Sequence, residues 1–330
     1  MFNDYLGRQE QVCGVESYRL EGGKGDGLRL VHVRNGQGLE FTVCPDRCSD
    51  IYRLTFLGRN MSYFSPCGYV APAYYDDRDV NFLKSFTAGF LTTCGLTTVG
   101  TPSTENGEYF PMHGTINGTP AEYFTWRQND DEIILEAEVR DARVFGRKLR
   151  LLRQIVCSKR ENAFTIRDTV ENFGEHEESI MILYHMNMGY PLLSEKSELY
   201  IPSKAVTPRS EKAAQNIDTH LQMLPPQPHY EEECFFHQFD GEGKAMIYNP
   251  DIDLGLGITF DAAVLDHLCQ WKMMGKQDYV LGLEPANCTP DGRVAMKEQG
   301  KRKTLKPGES QTYEVQVRLY DGKDAWEAAK

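Results

Sequence analysis

Three residues far apart along this 330-residue chain have the types and settings that general acid-base chemistry needs: His113, His185 and Glu284. Glu284 directly follows the apolar run Tyr279 to Leu283. A carboxyl there is expected to be partly desolvated, which raises its pKa toward the range useful to a general base. The alternative is an ordinary carboxylate paired with Lys272 or Arg293, both near enough in sequence to be hairpin neighbours. His185 ends the apolar run Ile180 to Tyr184 and leads into Asn187, Gly189, Tyr190 and Pro191. A polar cluster at the end of a buried strand is where a scaffold presents side chains to a cleft. His113 follows Tyr109-Phe110-Pro111-Met112 and precedes Gly114, which places its ring beside a flexible backbone position at the start of a strand. A carboxylate opposed to an imidazole removes one proton and delivers another near pH 7, so no cofactor is expected. The trio has no diagnostic metal-ligand spacing, and no metal is expected either.

Other chemistry-bearing residues read as structural. His32, His176 and His220 lie in an alternating strand, a charged turn and a polar loop, where solvated or packing roles suffice. The nine cysteines are odd in number and form no C-x-x-C pair. Reduced, mostly buried thiols are expected, and Cys94, in the most suggestive setting, has no adjacent base.

The elements that must position these residues are strands. Short alternating or β-branched segments separated by turn signals include Leu28 to Val33, Leu39 to Val43, Ile133 to Val139, Leu149 to Cys157, Ala163 to Val170, Gly257 to Phe260 and Gln311 to Leu319. Ten or more strands are implied. Adjacent Leu151 and Leu152 suggest a bulge, or a strand covered on both faces. Helices are scarce, with a turn or two expected in Phe82 to Phe90. Gly22 to Gly27 fits a hairpin turn better than a phosphate loop. Pro202 to Glu233 is Pro-rich and polar, an excursion between sheets that could serve as a lid. No linker or repeat divides the chain, so a single domain over 1–330 is expected, an all-β, large antiparallel β-sandwich with few short helices.

Charge narrows the partners. Thirty-six Lys and Arg against 48 Asp and Glu give a net charge of −12, which repels a nucleic-acid backbone. No apolar run approaches the roughly 20 residues that span a bilayer. Met1 to Leu20 lacks the apolar centre of a signal peptide, and a cytoplasmic protein that binds neither nucleic acid nor membrane is expected.

Several motifs together resemble a known family. His113-Gly114, Asp168 to Gly174, Tyr184 to Gly189, Leu283-Glu284-Pro285 and Leu305 to Glu309 follow the order seen in aldose 1-epimerases, the galactose mutarotase-like proteins. Pro45 to Ile51, Gly89 to Gly95, Trp271 to Gly275 and Gly282 to Arg293 resemble the aldose-epimerase-like DUF4432 branch more closely, and the likeness covers nearly the whole chain. The resemblance implies the supersandwich fold and a groove for a small-molecule carbohydrate. It implies Glu284 as the base at the anomeric hydroxyl, His185 as the acid at the ring oxygen, and His113 as a second histidine that binds and polarises the ring. Substrate contacts are expected from Arg47, Tyr109, Asn187, Lys272, Asn287 and Arg293. The arginine familiar before the first histidine is absent, and Arg47 and Lys272 are the candidates to stand in; Asp46 and Asp278 are candidates for the acidic residue that reads sugar hydroxyls. The three basic groups Arg47, Lys272 and Arg293 suit an acidic or oxidised sugar as well as a neutral one.

Two other readings share the groove. One is a keto-sugar isomerase, an epimerase or a lyase, with a divalent metal held by the histidines and Glu284. The other is a non-catalytic carbohydrate-binding protein, using the tyrosines Tyr74, Tyr75, Tyr109, Tyr184 and Tyr190 as stacking surfaces.

Overall fold

Strand-forming residues recur at every second position, and the longest strands convert that period into one buried and one wetter face. In Lys148–Ser158 the alternation holds from end to end. Leu151 points inward and Leu152 outward, and pairing with both neighbouring strands keeps one register, so there is neither a bulge nor a strand covered on both faces. The apolar pattern looked broken because Arg153, a charged residue, occupies an inward position.

A computed structural model describes residues 4–330; the first three residues of the Met1 to Leu20 segment lie outside the described ones. The described residues form 24 strands, arranged as eight-, seven- and five-stranded antiparallel sheets and two short ribbons. Three α-helices among them are short: Glu211–Gln215, Arg293–Glu298 and Lys323–Glu327. None is long and apolar enough to cross a membrane. The inner faces of the three large sheets share one apolar core, with Leu151 and Val315, Tyr184 and Leu283, and Val31 and Phe41 as representatives of each.

Local expectations fared unevenly. Gly22 to Gly27 does turn a hairpin, between Gly14–Arg19 and Arg29–Arg34. Phe82 to Phe90 holds only part of the 3-10 turn Asn81–Lys84 before extending into Ala88–Gly89. Gly89 has φ 67°, and a Cβ there would lie 2.7 Å from the Tyr52 Cα, so the chain is pinned against a neighbouring strand where a helix would need space. The Pro202 to Glu233 excursion contains the strand Ala205–Pro208, the helix Glu211–Gln215 and the 3-10 turn Ile217–Thr219. It is tied to the sheet where the Gln227 N–H donates to the Met274 carbonyl at 2.9 Å, Gln270 Nε2 to the His220 carbonyl at 2.7 Å and the Tyr279 hydroxyl to the Leu224 carbonyl at 2.6 Å, so it is a packed cover rather than a free lid.

Arg153 joins the three large sheets in the core. Its guanidinium donates to Asp168 at 2.9 and 2.6 Å, to Asp50 at 2.8 Å and to the Thr93 hydroxyl at 2.8 Å. Thr93 donates in turn to Asp50 at 2.6 Å, and the Tyr184 hydroxyl donates to Asp168 at 2.9 Å. Removing one member of a buried ionic group strands its partners without compensation. Arg153→Met should therefore lower stability by about 3–5 kcal/mol, measured as a shift of the urea unfolding midpoint. A loss below about 1 kcal/mol, the level of a surface pair, would contradict this account.

Candidate functional site

Strand pairing brings His185 and Glu284 face to face. In the ladder between Glu178–Met188 and Tyr279–Ala286, Leu183 pairs with Ala286 and Asn187 with Gly282, a register that sets His185 opposite Glu284. On the far side of Glu284, strand His267–Met274 pairs Cys269 with Glu284 and Trp271 with Gly282. Alternation then separates the roles: Tyr184 and Leu283 enter the core, while His185 and Glu284 line a cavity on the other face of the sheet. Gly282 is required there, because a Cβ would stand 2.2 Å from Glu284 Oε1. The carboxylate lies back over the space the glycine leaves.

His113 arrives from a different part of the chain. Its N–H donates to the Gly100 carbonyl at 3.1 Å, and its own carbonyl accepts from the Gly95 N–H at 3.0 Å. A Cβ on Gly114 would lie 2.0 Å from the Gly95 oxygen. Gly114 thus permits close approach of two backbones, rather than supplying the flexibility expected of it. His113 itself has φ 58°, in the left-handed region that costs a side-chain-bearing residue strain. The two imidazoles are edge-on, 5.7 Å between centroids. Phe82 lies 5.0 Å from His113, Phe86 5.0 Å from His185, and Trp271 meets His185 edge-on at 5.2 Å. His113, His185 and Glu284 all border this cavity of about 400 Å³, together with Arg209, Cys234 and Cys269.

Burial dominates the electrostatics. It pushes the His185 pKa down to about 3, helped by His113 and opposed by the bond to Asn187. It pushes His113 down to about 4, with a smaller contribution from Arg209. It raises Glu284 well above the ordinary carboxylate range; Cys234 acts in the same direction and the Cys269 thiol opposes. The resting site therefore holds neutral imidazoles and a carboxyl with high proton affinity.

Hydrogen bonds fix the tautomers. Asn187 Nδ2 donates to the His185 carbonyl at 2.8 Å, so its Oδ1 faces His185 Nδ1 at 2.7 Å and must accept. Nδ1 of His185 thus carries the proton, and Nε2 keeps its lone pair. Glu284 Oε1 also lies 3.0 Å from Nδ1 but is left without a hydrogen bond. His113 Nδ1 is buried without a partner. An orphaned N–H is rarer than an orphaned acceptor, which assigns the His113 proton to Nε2 and makes that atom a donor.

The other expected contacts are placed elsewhere. Arg47 is buried and spends its guanidinium on the carbonyls of Asn117, Val70 and Ser85, at 2.6, 2.7 and 3.3 Å. Arg293 is held by Glu105 at 2.6 Å and by the Thr97 carbonyl at 3.1 Å. Lys272 is buried opposite Glu233, on the sheet face away from Trp271. Neither Lys272 nor Arg293 pairs with Glu284, whose neighbour at 3.0 Å is His185. Asn287 lies in the core, where Oδ1 accepts from the Ile182 N–H at 2.8 Å and Nδ2 donates to the Tyr313 hydroxyl at 3.0 Å. Tyr109 is exposed and its hydroxyl accepts from the Asp79 N–H at 2.8 Å. Asn187 is buried behind His185 and orients its ring. Asp46 is spent on the Arg29 N–H at 2.7 Å.

Arg209, Cys234 and Cys269 were missed. Arg209 reaches the cavity from the Pro202 to Glu233 cover, donating to the Pro290 carbonyl at 3.1 Å and the Thr101 hydroxyl at 3.3 Å, with Asp291 at 3.3 Å. Its position in a segment that covers a sheet was its one signal. All nine cysteines are free, and eight are buried.

The family profile described as a domain of unknown function, DUF4432, matches residues 25–319. The chain belongs to this family. Among solved structures, this DUF4432 protein is similar to a Klebsiella pneumoniae protein described as a candidate aldose 1-epimerase, with 26% identity, a TM-score of 0.90, and 95% of this chain and 85% of that one covered. It is also similar to a galactose mutarotase-like protein of Clostridium acetobutylicum (13% identity, TM-score 0.66, 94% and 99% covered). A galactose 1-epimerase of Lactobacillus acidophilus gives 12% identity, a TM-score of 0.63 and the same coverage. The last two likenesses establish the galactose mutarotase-like β-sandwich. No curated protein matches the chain.

Two consequences are measurable. In Gly282→Ala the added methyl must move the flexible carboxylate rather than backbone. Turnover of any substrate should fall about 100-fold, as for a displacement near 1 Å, with a melting temperature within a few degrees of the parent. Unchanged turnover would show that the carboxylate position is unimportant. The second concerns Glu284→Gln. Because burial raises the Glu284 pKa above the ordinary carboxylate value of about 4.3, the unfolded chain ionises first and stability is lost as pH rises past that value. The amide variant lacks this loss, so its melting temperature relative to the parent should rise between pH 4 and pH 7. A relative fall would contradict the burial argument.

Proposed function

We propose that the cavity opens and recloses the ring of a free sugar, an aldose 1-epimerase-type isomerisation. The observation that carries this reading is the desolvated His185–Glu284 pair, 3.0 Å apart, with a second imidazole beside it. The Klebsiella pneumoniae likeness supports it.

At rest the pair is a carboxylic acid beside a neutral imidazole. Losing that proton to solvent while His185 Nε2, the ring nitrogen that keeps its lone pair, takes one up gives a carboxylate and an imidazolium with the same total of protons. In that tautomer Glu284 takes the proton of the anomeric hydroxyl while His185 Nε2 delivers one to the ring oxygen. The C1–ring-oxygen bond breaks, and C1 becomes the aldehyde carbon. Rotation about the bond from C1 to C2 presents the other carbonyl face, and the two transfers run backwards to close the ring. His113 Nε2–H donates to the ring oxygen and draws charge from the breaking bond. Each positioned transfer contributes roughly 10²- to 10⁴-fold. Nine free thiols suit a reducing compartment, which agrees with a cytoplasmic location.

Anomer exchange followed by NMR over a panel of neutral sugars, uronates and keto-sugars tests the reading. Saturable exchange is expected for at least one member. Glu284→Gln should lower kcat at least 100-fold with KM nearly unchanged, the signature of an interaction made in the transition state. A parent protein that accelerates none of the panel, or a variant as fast as the parent, would remove the proposal.

A further inference from the structure

The sheet face that carries Glu284 continues past it. Along the two paired strands the outward positions are Cys269 with Glu284, then Trp271 with Gly282, then Met273 with Val280. The first pair lines the cavity already described, and the last pair lines a second hollow of about 340 Å³. Leu83, Phe86, Glu232 and Trp271 border both. Trp271 stands at the division, its indole N–H donating to Glu232 at 2.7 Å. Tyr63 and Asp278 close the far side, the hydroxyl donating to the carboxylate at 3.3 Å. Each hollow falls within the roughly 300–1,000 Å³ range of ligand sites.

We propose that the second hollow binds the non-reducing residue of a neutral reducing disaccharide whose reducing ring lies over His185 and Glu284. A pyranose has an apolar C–H face and a rim of hydroxyls. Trp271 and Tyr63 offer flat, amphipathic surfaces for the face. Glu232 and Asp278 offer carboxylate oxygens as acceptors for the rim, and neither is ion-paired among the described residues. No basic side chain borders this hollow, so an anionic residue would meet two carboxylates without compensation. Arg209 lies at the opposite end, in the first cavity alone. The free anomeric hydroxyl that ring opening needs is kept, because the second residue is attached through another carbon of the reducing ring.

This inference rests on the isomerase reading, and the test separates the two. Anomer exchange is compared for glucose and galactose and for 1→3-, 1→4- and 1→6-linked neutral disaccharides, and binding of each is followed by calorimetry. At least one disaccharide should show kcat/KM tenfold or more above its reducing-end monosaccharide. Met273→Trp, which fills the second hollow, should abolish that advantage and leave monosaccharide turnover unchanged. Asp278→Asn should reduce the advantage several-fold, and melting curves of both variants establish that they are folded. A disaccharide that binds tighter than its monosaccharide, loses that advantage in Met273→Trp and is not turned over would end the isomerase reading while keeping the two-hollow site. Monosaccharides equal to or better than every disaccharide in both turnover and binding, or a Met273→Trp loss shared by both classes, would overturn the inference.

Discussion

The buried guanidinium of Arg153 is the constraint from which the site geometry follows. It lies between Asp50 and Asp168 with a side chain 1% exposed, so each of its charges depends on the others for compensation. Such groups add little net stability compared with a well-packed apolar alternative, but they penalise every arrangement that separates them. Tyr184 is included through its bond to Asp168, and Thr93 through Asp50. A one-residue slip of Glu178–Met188 would turn Tyr184 out of the core and carry His185 into it. The ionic cluster on one face of that strand therefore fixes which residue stands on the other.

On the opposite face the same physics acts without charge compensation. Phe82, Phe86 and Trp271 surround the two histidines, and the cost of charging anything inside that cage keeps the imidazoles neutral and Glu284 proton-hungry. The sheet holds these groups together because the strands that carry them pair along both edges. Asn187 completes the arrangement by occupying the His185 Nδ1 proton, which leaves Nε2 free.

How much of this was legible in the chain depends on what each residue answers to. The strands were legible because a buried face imposes a two-residue period, and the long ones lie where alternation placed them. His113, His185 and Glu284 were picked out as residues at strand ends, but His185 and Glu284 lie within Glu178–Met188 and Tyr279–Ala286 and His113 lies in a turn, and nothing in the spacing stated that they share a hollow. Several motif residues that carried the family resemblance, Asp50, Thr93, Asp168 and Tyr184, turn out to form the ionic cluster. Motif strength therefore reported the scaffold as much as the site. The basic residues were misplaced for one reason. Arg47 answers to the carbonyls of three loops that turn inward, and Arg293 answers to Glu105, none of which a linear reading can see. Lys272 differs from Trp271 by one position and hence by one face of the sheet. Arg209 had only its place in the cover as a signal, because the cover has no periodic relation to the strands beneath.

One N–H couples Asn187 to the His185–Glu284 pair. His185 Nδ1 stands 2.7 Å from Asn187 and 3.0 Å from Glu284, and a single proton cannot serve both in line. While the imidazole is neutral, the amide oxygen wins and Glu284 Oε1 goes unpaired, which is consistent with a carboxyl that retains its own proton. Once the imidazole is charged and the carboxyl ionised, attraction in a desolvated site favours Glu284. The atoms are already at contact distance, so the switch needs a change in proton position and a small rotation, with no rearrangement of the sheet. That is preorganisation in the sense that matters for proton transfer: the ion pair forms into a place already built for it.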